Sequence, residues 1–587
     1  MADIIISSLT TTAQLLDATD QNIYVLQGQT LIVSNNAITV NGAPRSDIYI
    51  AGSVIATAAT AINLLDLSVA NITLEATGSV YGRNAGIFSG SGSTVDLRLT
   101  NAGSISSAED AISLTDSTAT ATIFNSGSIS AGGNSLFGTP YAIETAGTLD
   151  LTNTGTISGQ IGGITVNGLA TISNSGTISS GAQEAVELLG TNSALTNSGM
   201  ISSTSATDFA VRLAASDIKL VNTGTISGQF GGVNADFANA NVVNSGTIST
   251  TIDDAVLIRG TNATLNNSGS IISAGDGVRF DSSTGVRIVN TGTILADEVG
   301  IGGFNVNGAS TVINTGEITS ISQGIAITNS GGSSAFGHTV INRGVVNGSV
   351  QLSEGNDMYD GRGGTVTANI DGGGGDDLLI GGATDDDILG GIGADALRGR
   401  DGHDTLDGGA GNDMIFGGNG DDNVQGGDGD DYINGGAGDD VLEGGDGVDE
   451  INGGAGDDLI RGGNGANQQL RGNDGEDQIV GGAERDIING GRDNDTISGF
   501  GGNDFLIGGD GDDLIVGGFG NDAIRGGTGV DTAKYLGAST DFSIFLDANG
   551  ALRVNDQVGN EGNDNLLDVE FLQFSNGIFA VDDLLMI

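Results

Sequence analysis

The stretch GGAGNDMIFGGNGDDNVQGGDGDDYINGGAGDDVLEGGDGVDEINGGAGDDLIR, residues 408–461, repeats one nine-residue phrase, G-G-x-G-x-D-x-U-x with U a large aliphatic. The register extends outward to Gly372 and Lys534, giving 18 nonapeptides with a single one-residue insertion between Asn464 and Leu470. A register held that long marks a repeat architecture. In each copy the Gly-rich half makes a tight turn in which carbonyls approach closely, and x-U-x is a minimal strand sending one aliphatic inward. Two nonapeptides close one coil, so each turn stacks on the next turn but one. One edge then aligns Asp377, Asp395, Asp413, Asp431 and Asp449, and the other Asp386, Asp404, Asp422, Asp440 and Asp458. Later copies add Asp477, Asp486, Asp495, Asp504, Asp513, Asp522 and Asp531. A disordered Gly/Asp linker would have no reason to keep aliphatics at Leu379, Ile388, Leu397, Leu406, Ile415, Val424, Ile433, Leu442, Ile451 and Ile460.

These residues concentrate charge. The chain carries 19 Lys and Arg against 73 Asp and Glu, a formal charge of −54, and residues 372–534 hold 36 of the acids with 8 bases, a balance of −28. That argues against nucleic-acid and anionic-membrane partners and for bound cations. Cys is absent, which excludes disulfides, thiolate metal sites and Cys nucleophiles. With 104 Gly, 2 Pro, 18 Phe and no Trp, bulky core material is scarce, so 587 residues are expected to form an elongated repeat with thin apolar layers. No apolar run of about 18 residues offers a membrane span, and membrane insertion is not expected.

In the copies GGAGNDMIF (408–416), GGAGDDVLE (435–443), GGAGDDLIR (453–461) and GGDGDDLIV (508–516) the chain resembles the repeats-in-toxin (RTX) family, the hemolysin-type calcium-binding repeat proteins. The resemblance implies a parallel β-roll with calcium in its turns. The residues support the same ion. Stacked carboxylates repel strongly unless a hard cation lies between them, and an all-oxygen cage suits Ca2+ better than zinc or copper. The aspartates named above, Asp377 to Asp531, are thus the expected metal ligands. Eighteen nonapeptides offer at most 16 inter-turn sites, or +32 if all fill, close to the segment's −28. Thr384, Arg400, Asn467, Asn473, Glu484, Asp493 and Phe500 replace an expected Gly or Asp, and weak or empty sites are expected around Asn467 and Asp486. Asp357, in GNDMY (355–359), reads as an isolated lead-in half-turn.

The first half carries a different repeat. N-x-G-x-I recurs at Asn101, Asn125, Asn153, Asn174, Asn197, Asn222 and Asn244 and continues, sometimes shifted, at Asn267, Asn290 and Asn314, with spacings of 21 to 28 residues. Three short alternating runs per period read as three strands per coil. The fold class is therefore all-β: a parallel β-helix over 46–350, about a dozen coils and on the order of 60 Å long, followed by the calcium-binding β-roll over 351–534. The recurring Asn is expected to form a structural ladder at an inward turn, where its tolerance of left-handed backbone suits the bend. Thr-Ile-Ser at 156–158, 177–179, 225–227 and 247–249 puts two hydroxyl ladders outward. Met200 and Glu317 break that series, which argues against an ice-binding face.

Residues 1–45 lack the period, contain one candidate helix at TTAQLLDATD (11–20), and are assigned as a cap or anchor. They also lack the basic region of a secretory signal. Residues 535–587 show strand alternation, a hairpin signal at Asn549-Gly550 and no nonapeptides. DNLLDVEFLQFSNG (564–577) is similar to the element that follows such rolls in type I secreted proteins, and Asp582-Asp583-Leu584-Leu585-Met586-Ile587 to their uncleaved C-terminal signal. The resemblance implies export by type I secretion machinery and an extracellular or cell-surface location.

The catalytic inventory is thin. There are two His, His338 and His403, and two Lys, Lys219 and Lys534, with no H-E-x-x-H and no G-x-S-x-G. Arg212, Lys219, Arg259, Arg279 and Arg287 are scattered, although Arg279 and Arg287 could share a face. No enzyme activity and no catalytic residues are expected. The reading is a calcium-dependent structural protein of the cell surface or matrix that self-assembles into a surface layer or filaments. The alternatives are a monomeric adhesin for a cell-surface glycan and, behind it, a polysaccharide-modifying β-helix enzyme.

Overall fold

The computed structural model describes all residues except 1–3, 9, 11, 13, 17–20, 43, 67–68, 133–139, 305–306, 322–324, 331–335, 586 and 587. It forms two compact units, Met1–Gly332 and Ser333–Ile587.

The first unit is a parallel β-helix with three strands per coil. Thr148–Asn153, Thr156–Gly159 and Gly162–Val166 make one coil, and each pairs in parallel with its counterpart in the next, Ala170–Asn174, Thr177–Ser180 and Val186–Leu188. Alternation sends Leu149, Leu151, Ile157, Ile164 and Val166 inward, none more than 2% exposed. The Thr-Ile-Ser segments stack in register with Ile buried and both hydroxyl residues outward.

Each recurring Asn closes a strand and is buried. From Asn101 to Asn314 every side-chain amide donates to the carboxamide oxygen of the next, at 2.7–2.9 Å. The second proton reaches a strand carbonyl, as from Asn174 to the Met200 oxygen at 3.2 Å. Left-handed backbone is not the reason for these asparagines. That conformation falls instead on Asn192, Asp217, Asn239 and Asn262, with φ of 59°, 61°, 59° and 53°. The Gly of N-x-G is required by space, since a Cβ on Gly176 would lie 2.0 Å from the Gly155 carbonyl oxygen one coil back.

The candidate helix over 11–20 is not found. Gln14–Leu16 is a strand paired with Ile38–Val40, and residues 11, 13 and 17–20 lie outside the described residues. Nor are 1–45 a separate cap, because Ile4–Ile6 and Gln21–Val25 already stack in parallel with the coil that follows. A coil requires inward apolar alternation, supplied here by Ile23, Val25, Leu31, Ile38 and Val40. It does not require the Asn-x-Gly corner by which the coils were counted.

The second unit opens with two three-strand coils. Thr339–Asn342, Val345–Asn347 and Ser349–Gln351 stack on Met358–Asp360, Thr365–Val366 and Asn369–Gly374. Beyond them one strand per coil disappears: Leu378–Ile380 stacks on Met358–Asp360 and Asp387–Ile392 on Asn369–Gly374. The unit boundary at 332/333 therefore precedes the expected one at 350/351, and the change from three-strand to two-strand coils lies inside the second unit. Through the roll, Leu379, Ile388, Leu397 and each later counterpart up to Ala533 are at most 2% exposed. Register advances by 18 residues per coil and by 19 across the insertion, where Ile451 pairs with Leu470.

At the end of the chain, Phe542–Leu546 and Leu552–Asp556 form an antiparallel hairpin around Gly550. The Tyr535, Phe542 and Phe574 rings pack together with centroids 5.1–5.5 Å apart. Val581–Leu585, within the expected secretion signal, is a short helix, and Met586 and Ile587 lie outside the described residues. No helix among the described residues is long and apolar enough to cross a membrane.

Asn222→Ala leaves the Asn197 amide without its acceptor and the Asn244 oxygen without its donor. It should cost about 1–3 kcal/mol per unsatisfied group, read as a lowered thermal midpoint of the first unit with the calcium response of the second unchanged.

Candidate metal centres

Every nonapeptide aspartate described by the pattern precedes a roll strand and is buried, none more than 7% exposed. Its Oδ1 accepts the N–H of the aspartate one coil back: Asp377 to Asp395, Asp395 to Asp413 and Asp413 to Asp431 on one edge, at 2.7–2.8 Å. Asp386, Asp404, Asp422, Asp440 and Asp458 run the same way on the other, at 2.8–2.9 Å. Asp477, Asp486, Asp495, Asp504, Asp513, Asp522 and Asp531 continue the two edges. Asp357 begins the first, accepting the His338 N–H and donating its own to Asp377 at 2.7 Å.

The second oxygen, Oδ2, is buried without a hydrogen-bond partner in all of these aspartates except Asp386. It points into a space made by the first Gly of its own repeat. A Cβ on Gly408 would lie 2.5 Å from Asp413 Oδ2 and 2.6 Å from the Gly426 carbonyl oxygen of the next coil. Gly417 is placed likewise between Asp422 Oδ2 at 2.3 Å and the Gly435 oxygen at 2.5 Å. Carboxylate and main-chain oxygens of successive turns thus converge where only glycine leaves room. Among the described residues no three side chains of His, Cys, Asp or Glu come together as a metal cluster. Each turn therefore offers one carboxylate oxygen and otherwise carbonyls, a hard, all-oxygen set that fits Ca2+.

Burial drives the titration of these groups. Loss of solvation pushes Asp377, Asp404, Asp431, Asp440 and Asp458 up to about 7 and Asp495 and Asp504 up to about 8. The N–H donated by the neighbouring coil opposes the shift, and stacked carboxylates add to it.

Departures from the repeat have distinct consequences. Position four elsewhere is Asp493, at φ 73°, or Gly with φ between 116° and 152°, a region closed to side chains. Thr384 and Glu484 do not enter it, and in those turns Gly382 and Gly482 also leave positive φ. The Gly382 N–H then turns onto Asp386 Oδ2 at 2.6 Å, so the one self-bonded carboxylate is Asp386, which sequence reading placed among the regular ligands. Burial pushes Asp486 up to about 6, and the Gln468 and Gly482 N–H groups beside it oppose that shift. Asn467 is not the ladder residue of its turn. The insertion places it at φ 66° and puts Gln468 in the aspartate position, fully buried, its N–H on Asp486 Oδ1 and neither carboxamide atom bonded.

A second ladder, of opposite polarity, escaped sequence reading. Position-five side chains accept the N–H of the following coil, as in Asp376 to Ala394, Asp421 to Asp439 and Asp439 to Asp457. The recurrence of Asp376, Asp385, Asn412, Asp421, Asp430 and Asp439 was its signal. His403 belongs to it, Nδ1 accepting the Asp421 N–H at 2.8 Å. In the first unit Arg212 bridges Glu187 and Asp236, and Arg259 and Arg279 face Asp236 and Asp254. Arg279 and Arg287 stand on different sheets. Burial takes His338 down to about 4.

Residues 363–397, 389–424, 416–451, 434–469, 471–499 and 498–533 match the family model of the RTX calcium-binding nonapeptide repeat. A comparison with curated proteins finds no match.

Two outcomes follow from the geometry. Because the folded roll holds protons more tightly than an unfolded Asp of ordinary value 3.8, metal-free stability is greatest below that value and falls as pH rises through about 6 to 8. Calcium affinity rises over the same window, since the ion displaces those protons. Circular dichroism in chelator should show β structure lost from acid to neutral pH and restored by calcium; a metal-free roll better folded at neutral pH would contradict it. Gln468→Asp supplies the missing carboxylate, and equilibrium dialysis should find about one more ion per chain.

Proposed function

We propose that this RTX-type protein, whose residues 363–533 are an array of calcium-binding nonapeptide repeats, is an exported, non-enzymatic structural protein of the cell surface or extracellular matrix that self-associates when calcium is bound. One observation carries the calcium dependence. Asp377 through Asp531, Asp386 apart, each keep a buried carboxylate oxygen that no protein group satisfies. Leaving such charges uncompensated disfavours the fold, and millimolar extracellular calcium supplies the compensation. In this reading each of those turns holds one ion, and the array orders outside the cell after passage through type I secretion machinery.

Self-association is supported by an apolar groove on the second unit. Phe500, Phe519 and Leu536 are 59%, 54% and 65% exposed and line, with Val516 and Gly518, a hollow of about 190 Å3. Large apolar side chains grouped on an otherwise acidic surface suit contact with another protein surface. Phe500 also stands at φ 71°, where a Gly belongs. The partner in this reading is a second copy of the chain, with a cell-surface glycan as the alternative.

Electron microscopy of protein prepared in chelator, before and after calcium is raised to millimolar, tests the role. Ordered sheets or filaments only with calcium are expected, and separate folded particles at every calcium level would favour the monomeric adhesin. Phe500→Gly combined with Phe519→Ser should weaken assembly at unchanged calcium uptake. Phe500→Gly alone should stabilise the roll by about 1 kcal/mol through relief of left-handed backbone strain.

A further inference from the structure

The nonapeptide register ends at Lys534, the chain leaves the roll through the 542–556 hairpin, and then it returns. Asn563–Leu567 pairs in parallel with Ala523–Thr528, aligning Ala523 with Asn565 and Ile524 with Leu566, in the place where the next coil of the array would lie. The returning segment GNEGNDNLL (559–567) has the form of the repeat, with Gly559, Gly562, Asp564 and Leu566 at positions one, four, six and eight. Gly562 has φ 72° and its missing Cβ faces the Gly520 carbonyl oxygen, as position-four glycines do along the array. Leu566 is 1% exposed and continues the inward column.

Asp564 extends the aspartate ladder across 42 residues. It is 1% exposed, and its Oδ1 accepts the Asp522 N–H at 2.9 Å. Its Oδ2 is buried without a partner, as is Asp522 Oδ2. A further oxygen is present that no turn within the array possesses. The Tyr535 hydroxyl is buried and makes no well-formed hydrogen bond, with the Asp564 carboxylate the side chain beside it. Burial first, and then the Asp564, Asp522 and Glu561 carboxylates, hold its proton more tightly than in an ordinary tyrosine. Asp556, which accepts the N–H groups of Val558, Gly559 and Glu561 at 2.8–2.9 Å, fixes the turn that delivers Asp564.

We propose that the Asp522 and Asp564 turns, with the Tyr535 hydroxyl, hold a calcium ion that joins the C-terminal segment 559–574 to the roll. The Oδ2 atoms of Asp522 and Asp564 have no partner and the Tyr535 hydroxyl stands beside the Asp564 carboxylate, so one hard divalent cation would satisfy oxygens from segments far apart in sequence. The inference rests on calcium binding by the array and completes its Asp522 turn with oxygens from a segment outside it. Docking of the C-terminal segment is then itself a calcium-binding event.

The test uses the full chain with calcium and with Tb3+, whose emission a tyrosine ring excites only at close range. Asp564→Asn keeps an oxygen to accept the Asp522 N–H but removes the charge, and Tyr535→Phe keeps the aromatic packing. Equilibrium dialysis should find one calcium fewer in Asp564→Asn. Tyrosine-excited Tb3+ emission should fall in both variants relative to wild type. Hydrogen exchange of 559–574 in Asp564→Asn should quicken at calcium levels that still protect 372–520. An unchanged ion count in Asp564→Asn, or unchanged emission in Tyr535→Phe, would overturn the site while leaving the array reading intact. A wild-type chain that takes up no calcium would overturn both.

Discussion

A carboxylate has no proton to give. In this roll, Asp386 apart, one oxygen of each aspartate is occupied by the N–H of the coil behind it, and the other is walled in by glycine with nothing to meet it. Every other feature of the nonapeptide serves that arrangement. The first Gly vacates the space beside Oδ2, the second and fourth take backbone shapes that aim carbonyls along the stack, and a single aliphatic closes the core. Such a core is too thin to offset the ordering of nine residues per strand by apolar burial alone. The bare oxygen makes the solvent's cation content part of the folding equilibrium.

The first unit solves the same stacking problem with a neutral group. An Asn side chain carries both donor and acceptor, so each amide satisfies the next and the column from Asn101 to Asn314 closes on itself. Substituting acid for amide at a stacked, buried corner converts a self-sufficient column into one that requires an ion. The two units thus share a ladder geometry and differ in what completes it.

Much of this was legible in the residues. The nonapeptide register, the inward aliphatics, the three-strand coils and the hairpin at Gly550 follow from spacing and turn chemistry that act locally. What escaped was set by geometry between coils. Nothing in the string distinguishes Asn467 from Gln468 as the ladder residue; pairing of Ile451 with Leu470 decides it. Thr384 was visible as a departure, but its effect, the turning of the Gly382 N–H onto Asp386, depends on a backbone region that Thr does not enter. The strands Ile4–Ile6, Gln14–Leu16 and Gln21–Val25 stack into coils without the Asn-x-Gly corner, so counting by that corner did not reach them. Asp564 was hidden by the excursion of 535–558, which broke the count of nine while leaving the stack unbroken.

The amide column of the first unit also bears on time. Its completion requires no external ion, so nothing in the chemistry of a calcium-poor compartment holds Met1–Gly332 open. Its parallel ladders join strands 19 to 31 residues apart, and no strand pairing is gained until a second coil has been brought alongside. Nucleation must therefore close a long loop before any pairing rewards it, which makes the first step slow and the later ones fast. For the unfolded export proposed above, this delay would be the interval for transit, set by loop length where the second unit has a chemical switch.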